Sequence, residues 1–115
     1  MLKSARYLQV KDIPVEDLQT IDDLWLAASN KKFGFSVQRQ IWRQNNQKWP
    51  KFFQAINWLK GENLNYRAWP KEFFYTLEEA EKGHLPLTNA LRGTQLFEAI
   101  LTHPAFQTEE KKKWD

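Results

Sequence analysis

The sequence predicts an all-α fold in one compact domain. Apolar residues recur at helical spacing in several short stretches, polar or proline-containing turns separate these stretches, and no run alternates convincingly as a strand would. With 115 residues, the chain is long enough for one hydrophobic core. It has no cysteine, and its six tryptophans and eight phenylalanines supply large buried areas without disulfides. We assign the domain to residues 17–106, with an extension before it (1–16) and a charged tail after it (107–115).

The first predicted helix begins near Pro14 and Asp17, which are suitable start signals. Four apolar residues at steps of three, four and three define its expected buried face: Leu18, Ile21, Trp25 and Ala28. The acidic residues Asp22 and Asp23 are then expected on the outer side of the helix. A turn that contains Phe33 and Phe35 ends it.

Ser36 is a suitable N-cap for a second helix, in which Val37 and Ile41 stack at positions i and i+4. Trp42 borders the same face. Pro50 is expected as the first residue of a third helix. The predicted buried side of that helix consists of Phe52, Phe53 and Ile56.

The last helix is predicted to begin near Thr94 and to stop before Pro104. Its apolar residues are Leu96, Phe97, Ile100 and Leu101. Residues 61–65 read as a polar turn. The run 73–77 is too short for its periodicity to distinguish helix from strand.

Charge is unevenly distributed along the chain. Residues 30–60 contain seven basic side chains and no acidic one: Lys31, Lys32, Arg39, Arg43, Lys48, Lys51 and Lys60. Seven aromatic residues share this stretch, and a local field of this sign attracts anions. The pattern suits a solvated basic face behind buried rings, a site for single-stranded nucleic acid, or a site for a planar ligand with carboxylates.

The sequence argues against an enzyme and against a membrane protein. His84 and His103 are far apart and have no partner at metal-binding spacing, the glycines form no phosphate loop, and thiol chemistry is excluded. A loop histidine such as His84 is expected to bond to the backbone. No apolar run approaches the roughly 20 residues of a membrane helix, and no signal sequence is evident, so we expect a cytoplasmic chain.

Three ordered segments closely resemble the genomes-uncoupled family of porphyrin-binding proteins. Residues 17–25 read Asp-Leu-x-Thr-Ile-Asp-x-Leu-Trp, residues 33–38 read Phe-Gly-Phe-Ser-Val-Gln, and residues 83–86 read Gly-His-Leu-Pro. The likeness also passes through Ile56-Asn57-Trp58 and keeps its order over about residues 17–103. A set of motifs in this order is specific for the family.

The resemblance implies a helical domain shaped like a cupped hand, which holds protoporphyrin IX or magnesium protoporphyrin IX in an apolar concavity edged by basic groups. It also implies a non-enzymatic regulatory protein similar to the activator of magnesium chelatase in chlorophyll biosynthesis, with porphyrin and a chelatase subunit as partners. In the family, the loop after Gly-His-Leu-Pro contacts the pigment through polar and arginine side chains, which here correspond to Asn89 and Arg92. Apolar side chains complete the candidate ligand-binding set: Phe33, Phe35, Trp42, Leu85 and Leu91.

Other interpretations stay open. Phe33 and Phe35 flank a glycine, and such rings commonly pin a turn onto the core. Only about 16 residues precede the first family segment, so the resemblance implies a member shortened on its N-terminal side. That member is alternatively an interaction module of the same fold that binds no porphyrin and forms a homodimer through uncovered apolar surface. Nucleic-acid binding through residues 30–60 is the least favoured alternative.

Overall fold

The helices expected from the sequence are present in the computed structural model, which describes residues 10–68, 71–88 and 94–106. After a 3₁₀ turn at Val10–Asp12, the elements are α1 (Val15–Ser29), α2 (Phe35–Gln44), α3 (Trp49–Ala55), β1 (Leu59–Lys60), β2 (Asn65–Tyr66) and α4 (Gln95–Leu101). The described chain is therefore predominantly helical and forms one domain, as predicted. The two short strands were not predicted.

Proline residues set the helix boundaries as the sequence indicates. Pro14 immediately precedes α1, and Pro50 lies in the first turn of α3, where its missing N–H costs nothing. Thr94 precedes α4, which ends before Pro104. The undecided run 73–77 is neither helix nor strand.

The two strands form a minimal antiparallel hairpin after α3. Leu59 pairs with Tyr66 and Lys60 pairs with Asn65, and Gly61 provides a positive φ of 76° in the turn between them. The polar turn at 61–65 was recognised in the sequence, but ladders of two residues are too short to produce an alternating pattern.

An aromatic core holds α2, α3 and α4 together. Phe53 stacks on Trp58 with ring centroids 5.5 Å apart and an interplanar angle of 7°, and Trp58 stacks on Phe97 at 5.4 Å. The other buried members are Val37, Ile41, Trp42, Phe52, Ile56, Phe73 and Leu101. Aromatic contacts of this kind add to the large area that each ring buries.

The prediction for the faces of α1 is partly wrong. Leu18 is buried, in a small cluster with Ala105 and Phe106, but Ile21 is 42% exposed. Asp22, expected in solvent, is only 2% exposed. The helix is rotated so that Asp22 faces the start of α2, because the carboxylate is needed there as a hydrogen-bond acceptor.

Ser36 was also assigned the wrong role. Helix α2 begins at Phe35, with Gly34 in the cap position at φ 139°, and no side chain within the turn caps the helix. Instead, the backbone N–H of Ser36 donates to Oδ1 of Asp22 over 3.0 Å. A carboxylate from another helix thus satisfies one of the unpaired N–H groups at the helix start.

The boundary placed at residue 17 stays a prediction. The residues just before it lie against the end of the domain, since Nε2 of His103 is 2.9 Å from the carbonyl oxygen of Ile13. The tail at 107–115 lies outside the described residues.

Candidate ligand-binding hollow

The turn between α1 and α2 is bound directly to the Gly-His-Leu-Pro loop. The backbone N–H of Gly34 donates to the carbonyl of Leu85 over 3.0 Å. The side-chain amide of Gln38 donates to the carbonyls of Gly83 and Pro86, both over 2.9 Å. The two most specific family motifs thus form one buried unit, held together by these hydrogen bonds between buried groups.

His84 lies at the centre of this unit and is fully buried. Its Nε2 accepts a hydrogen bond from the N–H of Phe74 over 3.1 Å, so Nδ1 carries the hydrogen and donates to the carbonyl of Ile56 over 2.6 Å. Burial lowers the pKa of His84 and the charge of Arg67 acts in the same direction, whereas the Ile56 carbonyl and Glu81 oppose them. The expectation of a histidine bonded to backbone is confirmed.

Phe33 and Phe35 lie against different parts of the core. Phe33 is 4% exposed, packs with Ala80 and Leu85, and contacts the ring of Trp25 edge to face at 6.3 Å. Phe35 is half-buried, with its ring 6.0 Å from that of Phe106. The interpretation that these rings pin the turn onto the core therefore accounts for both, and their role as ligand contacts stays a prediction.

Trp42 and Leu85 are core residues as well. Trp42 is 3% exposed and its ring lies 5.1 Å from that of Trp49. Its Nε1 is buried without a hydrogen-bond partner among the described residues. Leu85 is 4% exposed in the same cluster as Phe33. The remaining predicted contacts lie outside the described residues: Asn89, Leu91 and Arg92.

An apolar hollow of about 250 Å³ lies on the surface beside this core. Three elements surround it: the start of α3, the β1–β2 hairpin and the residue before α4. Its lining residues are Trp49, Pro50, Phe53, Leu59, Leu64, Tyr66 and Thr94. Because Leu64 and Tyr66 are 47% and 39% exposed, the hollow is open on the hairpin side and suits one face of a flat ligand better than an enclosed one.

Aromatic rings form the floor of the hollow. Trp49 stacks with Phe53 at 5.6 Å, and Tyr66 contacts Phe53 edge to face at 5.4 Å. The polar side-chain groups among the lining residues are the hydroxyls of Tyr66 and Thr94 and the indole N–H of Trp49. Burial raises the pKa of the Tyr66 phenol. The hairpin contribution was not predicted from the sequence, in which Leu59 and Tyr66 on either side of the polar turn were the available signal.

None of the residues that line this hollow is charged, so the basic side chains of residues 30–60 do not line it. Their place at its rim stays a prediction. Several basic side chains of this stretch bind other groups of the same chain. Lys60 pairs with Glu72, Lys32 donates to the carbonyl of Leu77, and Arg39 donates to the carbonyl of Leu101 over 2.8 Å. The positive field seen in the sequence is thus divided among separate parts of the surface.

The fold and the hollow together define a small helical domain with an open, aromatic-floored hollow on its surface. Over residues 2–104 the chain matches the sequence model of the family described as GUN4-like, and it belongs to that family. This is the genomes-uncoupled family that the three motifs resemble.

Relatives in plants and red algae share the domain. The chain is 48% identical over 110 residues to the tetrapyrrole-binding protein, chloroplastic, of Arabidopsis thaliana, an alignment that covers 90% of this chain and 42% of the relative. It is 47% identical over 100 residues to the uncharacterized protein ycf53 of Porphyra purpurea, covering 87% of this chain and 41% of that one. The chain thus spans about two fifths of the length of these relatives.

Solved structures of the family have the same fold. GUN4 from Chlamydomonas reinhardtii superposes with a TM-score of 0.75 at 60% identity, covering 84% of this chain and 60% of that one. The ligand-free structure of Arabidopsis thaliana GUN4 gives 0.74 at 53% identity, covering 84% and 65%. Within the described residues, no helix has the length and apolar character needed to span a membrane.

Proposed function

We propose that this chain binds a tetrapyrrole on the apolar hollow. The observation that carries the proposal is the floor of the hollow, where the ring of Trp49 stacks on that of Phe53. The hollow is open on the side of the exposed residues Leu64 and Tyr66. Membership of the GUN4-like family and the name of the Arabidopsis relative support it.

A porphyrin macrocycle fits the chemistry of this surface. The ring is flat and apolar, so it gains free energy when an aromatic floor removes one of its faces from water, at about 25 cal/mol per Å² of apolar surface. Stacking on Trp49 adds a directional contribution. The hollow is smaller than the roughly 300–1,000 Å³ typical of sites that enclose a ligand, which fits a ligand held by one face.

The propionates of the pigment need a cation that the lining residues do not supply. In the sequence, Arg92 comes two residues before Thr94, and Thr94 lines the hollow. A guanidinium forms strong paired hydrogen bonds with a carboxylate. We therefore retain Arg92 and Asn89 as the polar contacts, with Leu91 as an apolar contact between them in sequence.

The bound species is protoporphyrin IX or magnesium protoporphyrin IX in this proposal, and the chain acts without chemistry of its own. It presents or senses the pigment as a regulator, with a magnesium chelatase subunit as its partner. The cytoplasmic location expected from the sequence stays a prediction, and the name of the Arabidopsis relative places that protein in the chloroplast.

A porphyrin titration with a matched pair of variants tests the proposal. Protoporphyrin IX should quench tryptophan fluorescence saturably and shift the porphyrin absorption band. Leu64→Asp places a charge in the hollow and should weaken binding at least tenfold. Leu96→Asp changes an equally exposed leucine (49%) on α4 outside the hollow and should leave the affinity unchanged.

Two outcomes contradict the proposal. If the absorption band stays unchanged at tens of micromolar porphyrin, the chain does not bind tetrapyrrole. This concentration is on the order of weak small-ligand affinity. That result favours the interaction module of the same fold. If Leu64→Asp and Leu96→Asp weaken porphyrin binding equally, the hollow is not the binding surface.

A further inference from the structure

The β1–β2 hairpin presents an apolar face to the hollow. Leu59 and Tyr66 form one pair of the hairpin, Leu64 immediately precedes β2, and all three residues line the hollow. The neighbouring pair, Lys60 with Asn65, does not line it, as the alternation of side chains along a strand requires. Leu64 is 47% exposed, so it lies where the hollow opens to solvent.

Leu64 adopts a backbone conformation that leucine disfavours. Its φ is 53°, in the left-handed region, where a Cβ crowds the backbone and glycine or asparagine is the usual residue. Six of the described residues other than glycine have a positive φ; three of them are asparagines, and Leu64 is the only apolar one. The turn fixes this conformation, because the N–H of Leu64 donates to the carbonyl of Gly61 over 3.1 Å.

The fold itself gains little from a leucine at this position. An apolar side chain stabilises a protein in proportion to the surface that folding removes from water, and Leu64 keeps nearly half of its surface exposed. Leu18 and Leu101, by contrast, are 4% and 0% exposed. A residue that is strained in its backbone and poorly buried in the fold is typical of ligand sites, where the side chain serves a bound molecule.

The periphery of protoporphyrin has two unlike parts. Its two propionates lie on neighbouring pyrroles, and methyl and vinyl groups surround the rest of the ring. None of the residues that line the hollow is charged, so a propionate turned toward Leu64 would lose water without gaining a partner. The methyl and vinyl edge, in contrast, gains free energy when a leucine side chain removes it from water.

We propose that Leu64 is a specificity-determining residue, which contacts the methyl and vinyl edge of the tetrapyrrole and discriminates against porphyrins with a carboxylate on every pyrrole. This inference rests on the proposed binding of a tetrapyrrole to the hollow. It also sets the orientation of the pigment, whose propionates are directed away from the hairpin. The left-handed conformation of Leu64 then has a functional reason, since it holds an apolar side chain at the mouth of the hollow.

Absorption titrations with two porphyrins test the selectivity. Coproporphyrin III carries a propionate on each of its pyrroles, so every edge that it turns toward the hairpin is charged. The unmodified chain should bind it at least about tenfold more weakly than protoporphyrin IX. Leu64→Lys supplies a cation at the mouth and should lower this ratio of affinities by about tenfold, the lower end of what a hydrogen bond to a charged group contributes. Leu96→Lys adds the same charge at an exposed leucine outside the hollow and should leave the ratio unchanged.

Leu64→Asn distinguishes a ligand contact from a structural role. Asparagine tolerates the left-handed conformation, so this variant should unfold at a higher urea concentration than the unmodified chain. Its affinity for protoporphyrin IX should nevertheless fall by about fivefold or more, because an apolar contact is lost. Leu64→Met has an apolar side chain again and should recover most of the affinity that Leu64→Asn loses. Leu96→Asn, the matched control, should leave the affinity unchanged.

Three results overturn the inference. If protoporphyrin IX does not bind to the unmodified chain, the proposed function and this inference are both wrong. If it binds but Leu64→Lys and Leu96→Lys give the same ratio of affinities, the methyl and vinyl edge does not meet Leu64, and tetrapyrrole binding itself stands. If Leu64→Asn unfolds at a lower urea concentration, Leu64 stabilises the fold by packing, and only the role assigned to this residue is wrong.

Discussion

The carboxylate of Asp22 on α1 accepts a hydrogen bond from the backbone N–H of Ser36 on α2, over 3.0 Å and with both residues buried. The cap of the second helix is thus supplied by the first, 14 positions earlier in the chain. Gly34 leaves room for this contact, because a Cβ there would lie 2.7 Å from Oδ1 of Asp22. The contact fixes the rotation of α1 and therefore which of its apolar residues stay exposed.

Replacing Asp22 tests this cap. Asp22→Ala should lower the free energy of unfolding by about 1–3 kcal/mol, the scale of a lost helix cap and of a hydrogen bond to a charged group. Urea unfolding measures this change in the free energy of unfolding. Asp23→Ala removes the same charge from the exposed neighbouring position and should change stability little. Equal effects of the two substitutions would mean that only net charge matters.

Alanine substitutions at two glycines with positive φ distinguish the cost of steric crowding from the cost of backbone strain. Gly83 has φ 82°, and a Cβ there would lie 2.6 Å from Cδ1 of Ile41. Gly61 has φ 76° with nothing within 4 Å. Gly61→Ala should therefore cost about 1–2 kcal/mol from strain alone, and Gly83→Ala should cost at least 1 kcal/mol more from overpacking. Thermal or urea unfolding that ranks them equally would contradict the packing of the Gly-His-Leu-Pro loop.

The buried His84 should make stability depend on pH. Its pKa is lowered in the folded protein, chiefly by burial, so the unfolded chain takes up a proton at a higher pH than the folded protein does. The free energy of unfolding should therefore fall as the pH drops below about 6.5, the ordinary histidine pKa, and continue to fall until the folded-state pKa is passed. Urea unfolding between pH 5 and pH 8 measures the slope. His84→Gln should flatten it, and an unchanged slope in this variant would assign the dependence to other groups.

Arg92 is the residue on which propionate binding depends most in the proposed function. Arg92→Ala should weaken porphyrin binding by about 1–3 kcal/mol, the usual scale for a hydrogen bond to a charged group. Porphyrin absorption titrations measure this change. Lys82→Ala removes an equal charge from an exposed position before the Gly-His-Leu-Pro loop and serves as the control. If both variants bind equally, the contribution of Arg92 is only its net charge.

The structure agrees best with the sequence-based predictions where the chemistry of neighbouring residues decides the backbone conformation. Pro14, Pro50 and Pro104 mark helix boundaries because a proline restricts its own backbone and lacks an N–H wherever it lies. The same reasoning failed for α1, where it placed Ile21 inside and Asp22 outside. Periodicity identifies an apolar stripe but does not reveal that a carboxylate on its edge has a partner in another helix.

In the candidate site, too, some features follow from neighbouring residues and others from contacts between distant ones. The basic and aromatic stretch at 30–60 contains Trp49 and Phe53, which do line the hollow, but the sequence cannot show that Lys60 pairs with Glu72 or that Arg39 binds the carbonyl of Leu101. Leu64 and Tyr66 reach the hollow only because the hairpin folds back on α3. Of the residues predicted as contacts, Trp42 is buried in the aromatic core against Trp49, and Phe33 is buried in a separate cluster with Ala80 and Leu85.

By itself, the sequence determined that this protein is a helical member of its family, since helical spacing, proline positions and ordered motifs are properties of neighbouring residues. The tertiary structure alone decided where an apolar surface remains open, which cations are already paired and which way α1 is turned. Those features depend on contacts between residues distant in the chain, such as Asp22 with Ser36 and Phe53 with Tyr66, which no local pattern encodes.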